Sequence, residues 1–212
     1  NEGKIHLGYL YAADPTLGEA ARETAHLTQD AEQTQIGLAY DGVPMRHPDS
    51  FKARAGVLAQ SGGMSSRLFV EVRQKRGLAY SVYASYLTTR DFGGVLGYAG
   101  TTAARAAETL NVMLGEIRRL GEGIDAEELA KAKTRLKTNF IVQGESTRSR
   151  AEAMARELWF ADRVWTLDEV MAAIDALNLD EVNAYLAGSV PERFSIVTLG
   201  REPLEAGVAA VD

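Results

Sequence analysis

The 212-residue chain contains no cysteine. Disulfides, thiolate metal sites and a cysteine nucleophile are therefore excluded, while the compartment stays open. Histidine is nearly absent too, with three in all. His6, His26 and His47 lie far apart, and no two of them stand one helical turn from each other. The zinc-hydrolase pattern HxxEH needs two histidines on one helix face and a glutamate between them as general base. No such pair occurs, and the three read as surface or loop histidines. No apolar run approaches the roughly 18 residues that a membrane-spanning helix needs, and no stretch reads as a secretory signal. Basic charge is not in excess: 23 Lys and Arg stand against 29 Asp and Glu, a net charge of −6. That balance offers no broad electrostatic footprint for nucleic acid.

What remains is an ordinary globular composition, 46% apolar and 25% charged. Residues 1–32 read as a lead-in or linker, with a short strand over Ile5 to Leu10 broken by Asp14, Pro15 and Gly18. Asn1 is not a methionine, and with the linker-like opening this points to a piece of a longer chain. Gln35 to Tyr40 is a compact strand closed by Asp41-Gly42 and Pro44. Asp49 can cap a helix running from about Ser50 to Ala59, with Val57 and Leu58 inward. Ser65 can cap a second helix carrying Leu68, Phe69 and Val72. Gly77 suits the left-handed position beyond its end.

Tyr80 to Thr88 then alternates as a strand, with Tyr80, Val82, Ala84 and Tyr86 on one face. Arg90-Asp91 turns it into a second strand over Val95 to Tyr98, an antiparallel hairpin. Helical patterning dominates from Ala103 to Asn183. Leu110, Met113, Leu114, Ile117 and Leu120 form one stripe. Asp125 with Glu128 and Thr166 with Glu169 read as capping boxes. Phe194 to Leu199 closes as a strand. Strands and helices do not alternate as repeated βαβ units. The fold class is therefore α+β: two layers, a mostly antiparallel sheet with helices on one face.

The densest chemistry is EVRQKRGLAY, residues 71–80. Arg73 ends the short helix, Tyr80 opens the strand, and a glycine turn reverses the chain between them. A guanidinium and a phenol can both donate to a carbonyl or an oxyanion. The plainer alternative is a solvated basic helix end with Tyr80 packed in the sheet. Gly62 and Gly63 either turn the chain between two helices or expose backbone N–H groups to a ligand.

GGMSSRLFVEVRQKRGLAYSVYASY, residues 62–86, closely resembles the hallmark segment of the second half of pitrilysin-type (insulinase-like) zinc metallopeptidases, the group that includes the mitochondrial processing peptidases. QTQIGLAYDGVP, GIDAEELAKAKTRLKTNF, LNLDEVNAYLAGSV and RFSIVTLG extend the likeness across about residues 33–200. The resemblance implies a half-domain over 33–205, with 206–212 as a tail. It implies that this is the half without HxxEH, so that the chain itself binds no metal and zinc sits in the partner half, fused upstream or a separate subunit. It assigns Arg73 and Tyr80 to gripping an unstructured peptide substrate and stabilising the transition state, with Arg73 preferred over Arg76 by the spacing to the tyrosine. Gly62 and Gly63 match a substrate-binding glycine loop that is longer in some processing peptidases. No activity is expected of the chain alone. The alternative within the same fold is a catalytically inactive structural or peptide-binding subunit.

Overall fold

A computed structural model of the chain describes residues 24–204. Five strands form one sheet in the order β1-β5-β2-β4-β3. These are β1 (Thr24–Thr28), β2 (Gln33–Gly42), β3 (Ala79–Thr88), β4 (Gly93–Thr102) and β5 (Ser195–Gly200). Only the β1–β5 pair is parallel. The helices are α1 (Ser50–Ser61), a π-helical segment (Phe69–Lys75), α2 (Ala106–Arg119), α3 (Ala126–Glu145), α4 (Thr147–Ala161), α5 (Leu167–Ala176) and α6 (Leu179–Gly188).

The sheet's period-two pattern decides which face is covered. Ile36, Leu38 and Tyr40 pair across with Ala99, Gly97 and Val95. With Ile196 they pack against Val57 of α1 and Leu110, Met113 and Ile117 of α2. A second cluster lies beyond α1, where Ala55 and Ala59 meet Leu129, Ala132 and Leu136 of α3, Ile174 of α5 and Val182 of α6. Helix α1 thus separates sheet from outer helices and contributes to both clusters. Small side chains on it allow that closeness: at Gly56 a Cβ would come within 2.6 Å of Leu186. The result is the α+β arrangement expected, a mostly antiparallel sheet with helices on one face.

Several local readings hold. Both capping boxes, Asp125–Glu128 and Thr166–Glu169, are formed in full. Asn178 caps α6 through the Glu181 N–H at 2.8 Å. Others differ. Of the segment read as a linker, Thr24–Thr28 is the parallel edge strand β1, too short and too exposed to show apolar alternation. The expected strand at Ile5 to Leu10 and the tail at 206–212 lie outside the described residues. Asp49 occupies the N-cap of α1 without capping it, because its carboxylate pairs with Lys52 at 2.9 Å. The helix after the glycines begins at Arg67, and the residue before it is Ser66, not Ser65; the Ser66 hydroxyl donates to the Gly63 carbonyl at 2.6 Å. His26 is not a loop residue: it lies in β1, with its ring against the Thr198 hydroxyl at 2.9 Å.

Candidate functional site

The corner from Arg67 to Tyr80 begins as a helix that widens into π geometry over Phe69–Lys75. A π turn holds one residue more than an α turn, and such turns are rare and frequent at functional sites. Leu68 and Val72 are fully buried and anchor it on the sheet cluster. From Arg73 onward the side chains are exposed until Leu78 returns to the core.

Backbone bonds close the corner. Gly77, at φ +60°, donates its N–H to the Arg73 carbonyl at 3.1 Å, and Leu78 donates to Val72 at 2.9 Å. A non-glycine residue is disfavoured in that left-handed conformation. The outgoing carbonyls are held from a different element: Arg105 donates to Gly77 O at 2.7 Å, and the Thr101 hydroxyl donates to Leu78 O at 2.5 Å. Arg73 and Tyr80 therefore leave backbone that is pinned on both sides of the turn.

Tyr80 is not aligned with Val82, Ala84 and Tyr86. Ala79 pairs with Thr101 and Ser81 with Gly100, so the register shifts and Tyr80 falls in a bulge. Bulges bend a strand and re-aim the side chain that carries them. Val82, Ala84 and Tyr86 pack on the core, whereas Tyr80 is 63% exposed. The picture of Tyr80 packed in the sheet is thereby corrected.

The cations of the corner are not equivalent. Glu71 accepts from Lys75 and from Arg76, each at 2.6 Å, and Arg76 also donates to the Glu71 carbonyl at 2.9 Å. Those hydrogen bonds, from Lys75 first and Arg76 second, hold the Glu71 carboxyl below its usual value. Among the described residues no carboxylate pairs with Arg73. Its guanidinium lies 5.2 Å from the centre of the Phe69 ring, a cation–π contact.

Arg67 at the base of the corner is the most heavily bonded cation. It donates to both oxygens of Glu128, at 2.6 and 2.7 Å, to Gly123 O at 2.8 Å and to Arg119 O at 3.3 Å. Burial alone would raise the Glu128 carboxyl; the Arg67 fork and the Asp125 N–H outweigh it and bring it below its usual value. Glu128 is also the capping-box residue of α3. One carboxylate thus starts α3 and ties the corner to it. Arg67 and Glu128 stand 61 residues apart, so no sequence spacing announces the pair. Glu71 and Lys75, four apart on a helical pattern, could have been found.

Gly62 has a local explanation: a Cβ there would lie 2.4 Å from the Leu58 carbonyl oxygen. Gly63 faces open space. Both border a pocket of about 170 Å³ that Lys131 and Arg135 also line. Among the described residues no group of three or more His, Asp or Glu is placed to hold a metal ion.

Comparison with known proteins gives the family of the chain. Residues 13–136 match the family model described as the peptidase M16 inactive domain. The chain is 29% identical to the uncharacterized zinc protease YmxG of Bacillus subtilis over 81% of its length and 42% of that protein's. It is 30% identical to an uncharacterized zinc protease of Streptomyces coelicolor over 89% of its length and 43% of that protein's. The crystal structure of a peptidase M16 inactive domain from Pseudomonas fluorescens superposes with a TM-score of 0.73 at 23% identity, covering 85% of this chain and 44% of that one. The chain spans less than half the length of the curated relatives it matches. By its sequence over 13–136, the chain belongs to the peptidase M16 inactive-domain family, the non-catalytic half of zinc proteases.

Proposed function

We propose that this domain helps to bind a peptide substrate and stabilise its transition state, in a cleft completed by an HxxEH-bearing half. Arg73 and Tyr80 are the groups that enter the cleft. The observation that carries the reading is the contrast between Arg73 and its neighbours. Lys75 and Arg76 are both bonded to Glu71, whereas Arg73 keeps its donors for something outside the described chain. The exposure of Tyr80 at a bulge supports the same reading.

The chemistry follows from the donors. A guanidinium offers a planar fork and a phenol offers one O–H, and neither is a base at neutral pH. Both suit a carbonyl oxygen on which negative charge grows. Donors held ready for that charge act where it develops and need no rearrangement. Zinc bound in the other half would supply the Lewis acidity. In this domain Arg73 orients the backbone of the bound peptide and Tyr80 donates toward the developing oxyanion. Gly62 and Gly63, beside Lys131 and Arg135, border the path of the peptide chain.

The test uses the complete protein with both halves, assayed on an unstructured peptide. Activity is expected with both halves present and none from this half alone. Cleavage by this half alone that a chelator abolishes would overturn the reading. An intact, zinc-loaded two-half protein that binds peptide without cleaving it would favour the inactive, peptide-binding alternative.

A further inference from the structure

Helix α4 is unusual in having no buried residue along its 15 positions. It is nevertheless not a polar helix. Met154 and Leu158, one turn apart, are 42% and 58% exposed, and Trp159 beside them is 70% exposed. The end of α3, against which α4 folds back, adds Ile141 and Val142, both exposed. Ile141 and Met154, with Val164, Trp165 and Leu167, line a groove of about 610 Å³. Gln143, Glu145, Arg150, Glu157 and Thr166 are its polar members.

Helices of this length draw most of their stability from packing an apolar face. This face has no partner among the described residues. It shares no residue with the Arg73–Tyr80 corner. A contiguous apolar patch rimmed by charge marks an interaction surface. The missing cover has an evident source. The matched zinc proteases are more than twice as long as the part this chain matches, 42% and 43% of their lengths.

We infer that the α3–α4 hairpin is the surface on which the zinc-bearing half docks. An apolar segment of that half fills the groove between Ile141, Met154 and Leu167 and covers Leu158 and Trp159. The hairpin is the fixed joint of the two-half protein, set apart from the corner that meets substrate. This rests on the membership in a two-half protease and not on the roles given to Arg73 and Tyr80.

The test is oxidative footprinting of the complete two-half protein, read residue by residue by mass spectrometry. The chain carries its own references: Met64 is 78% exposed and Met113 is fully buried. Met154 and Trp159 are expected to oxidise several-fold more slowly than Met64. Leu158→Glu is expected to restore their oxidation while Met113 stays protected, which shows that the domain still folds. A photo-crosslinker placed at position 159 is expected to capture a peptide of the zinc-bearing half. Oxidation of Met154 and Trp159 at the rate of Met64 would overturn the inference. So would capture of a peptide from within residues 1–212, which would make the cover this chain itself or a second copy. Footprinting reads burial rather than turnover, so this inference and the catalytic reading fail separately.

Discussion

The Arg67–Tyr80 corner and the α3–α4 hairpin are both exposed, yet they are built in opposite ways. The corner is polar outside and over-determined beneath: two backbone bonds close it, two side chains from β4 and the segment before α2 hold its carbonyls, and Arg67 ties its base to Glu128. The hairpin exposes a cluster of large apolar side chains, and no residue of α4 is fully buried. Fixed geometry with uncommitted donors suits a surface that must meet a reacting atom. An unsupported apolar face suits a surface completed by another piece of protein. On the proposed reading, the difference separates where this domain acts from where it is held.

That separation can be broken from the corner's side, and the largest effect is expected at Arg73. Arg73→Ala in the complete enzyme should lower turnover by roughly 100-fold, the size of losing one transition-state donor. Its denaturation midpoint should stay unchanged, because Arg73 carries no ion pair within the described chain. A loss of stability in place of turnover would make Arg73 a structural residue.

Arg67→Met should have the reverse signature. It leaves Glu128 without its fork at a site where the two side chains are 14% and 21% exposed, and should cost about 2 kcal/mol in chemical denaturation. The effect carries a pH sign. The folded-state pKa of Glu128 is depressed, so the pair's contribution is full above the ordinary carboxyl value of 4.5 and fades as pH falls through the lower folded value. The gap between wild type and Arg67→Met should therefore be flat near neutrality and narrow below pH 4.5. A gap that widens in acid would contradict the assignment.

Gly77→Ala should cost about 1 kcal/mol, a purely conformational cost, since a Cβ there meets nothing within 4 Å. Smallest of all, Glu71→Gln should change stability by no more than about 0.5 kcal/mol, because Lys75 and Arg76 lie at the surface. It frees two competing cations beside Arg73. Peptide affinity, measured by titration, is expected to become more salt-dependent.

Local devices were legible in the sequence. The capping boxes, the left-handed glycine at 77 and the stripe of α2 all follow from patterns a few residues long. What escaped depends on pairing. The bulge at Tyr80 exists only because β3 shifts register against β4, and alternation within β3 alone put Tyr80 on the wrong face. Arg67 and Glu128 meet through the fold, and β1 is a strand only because β5 lies beside it. The extra residue of the π turn is silent in a pattern of apolar spacings. For the candidate site, the residue types and their closeness along the chain were visible, while the sorting of three cations into two bonded and one uncommitted was not.

The most direct measurement of the central claim is kcat for Tyr80→Phe in the complete two-half enzyme, with the melting temperature recorded alongside. Removing one exposed hydroxyl should leave the melting temperature in place and lower kcat by roughly 100-fold. Wild-type kcat in a Tyr80→Phe enzyme would contradict the account.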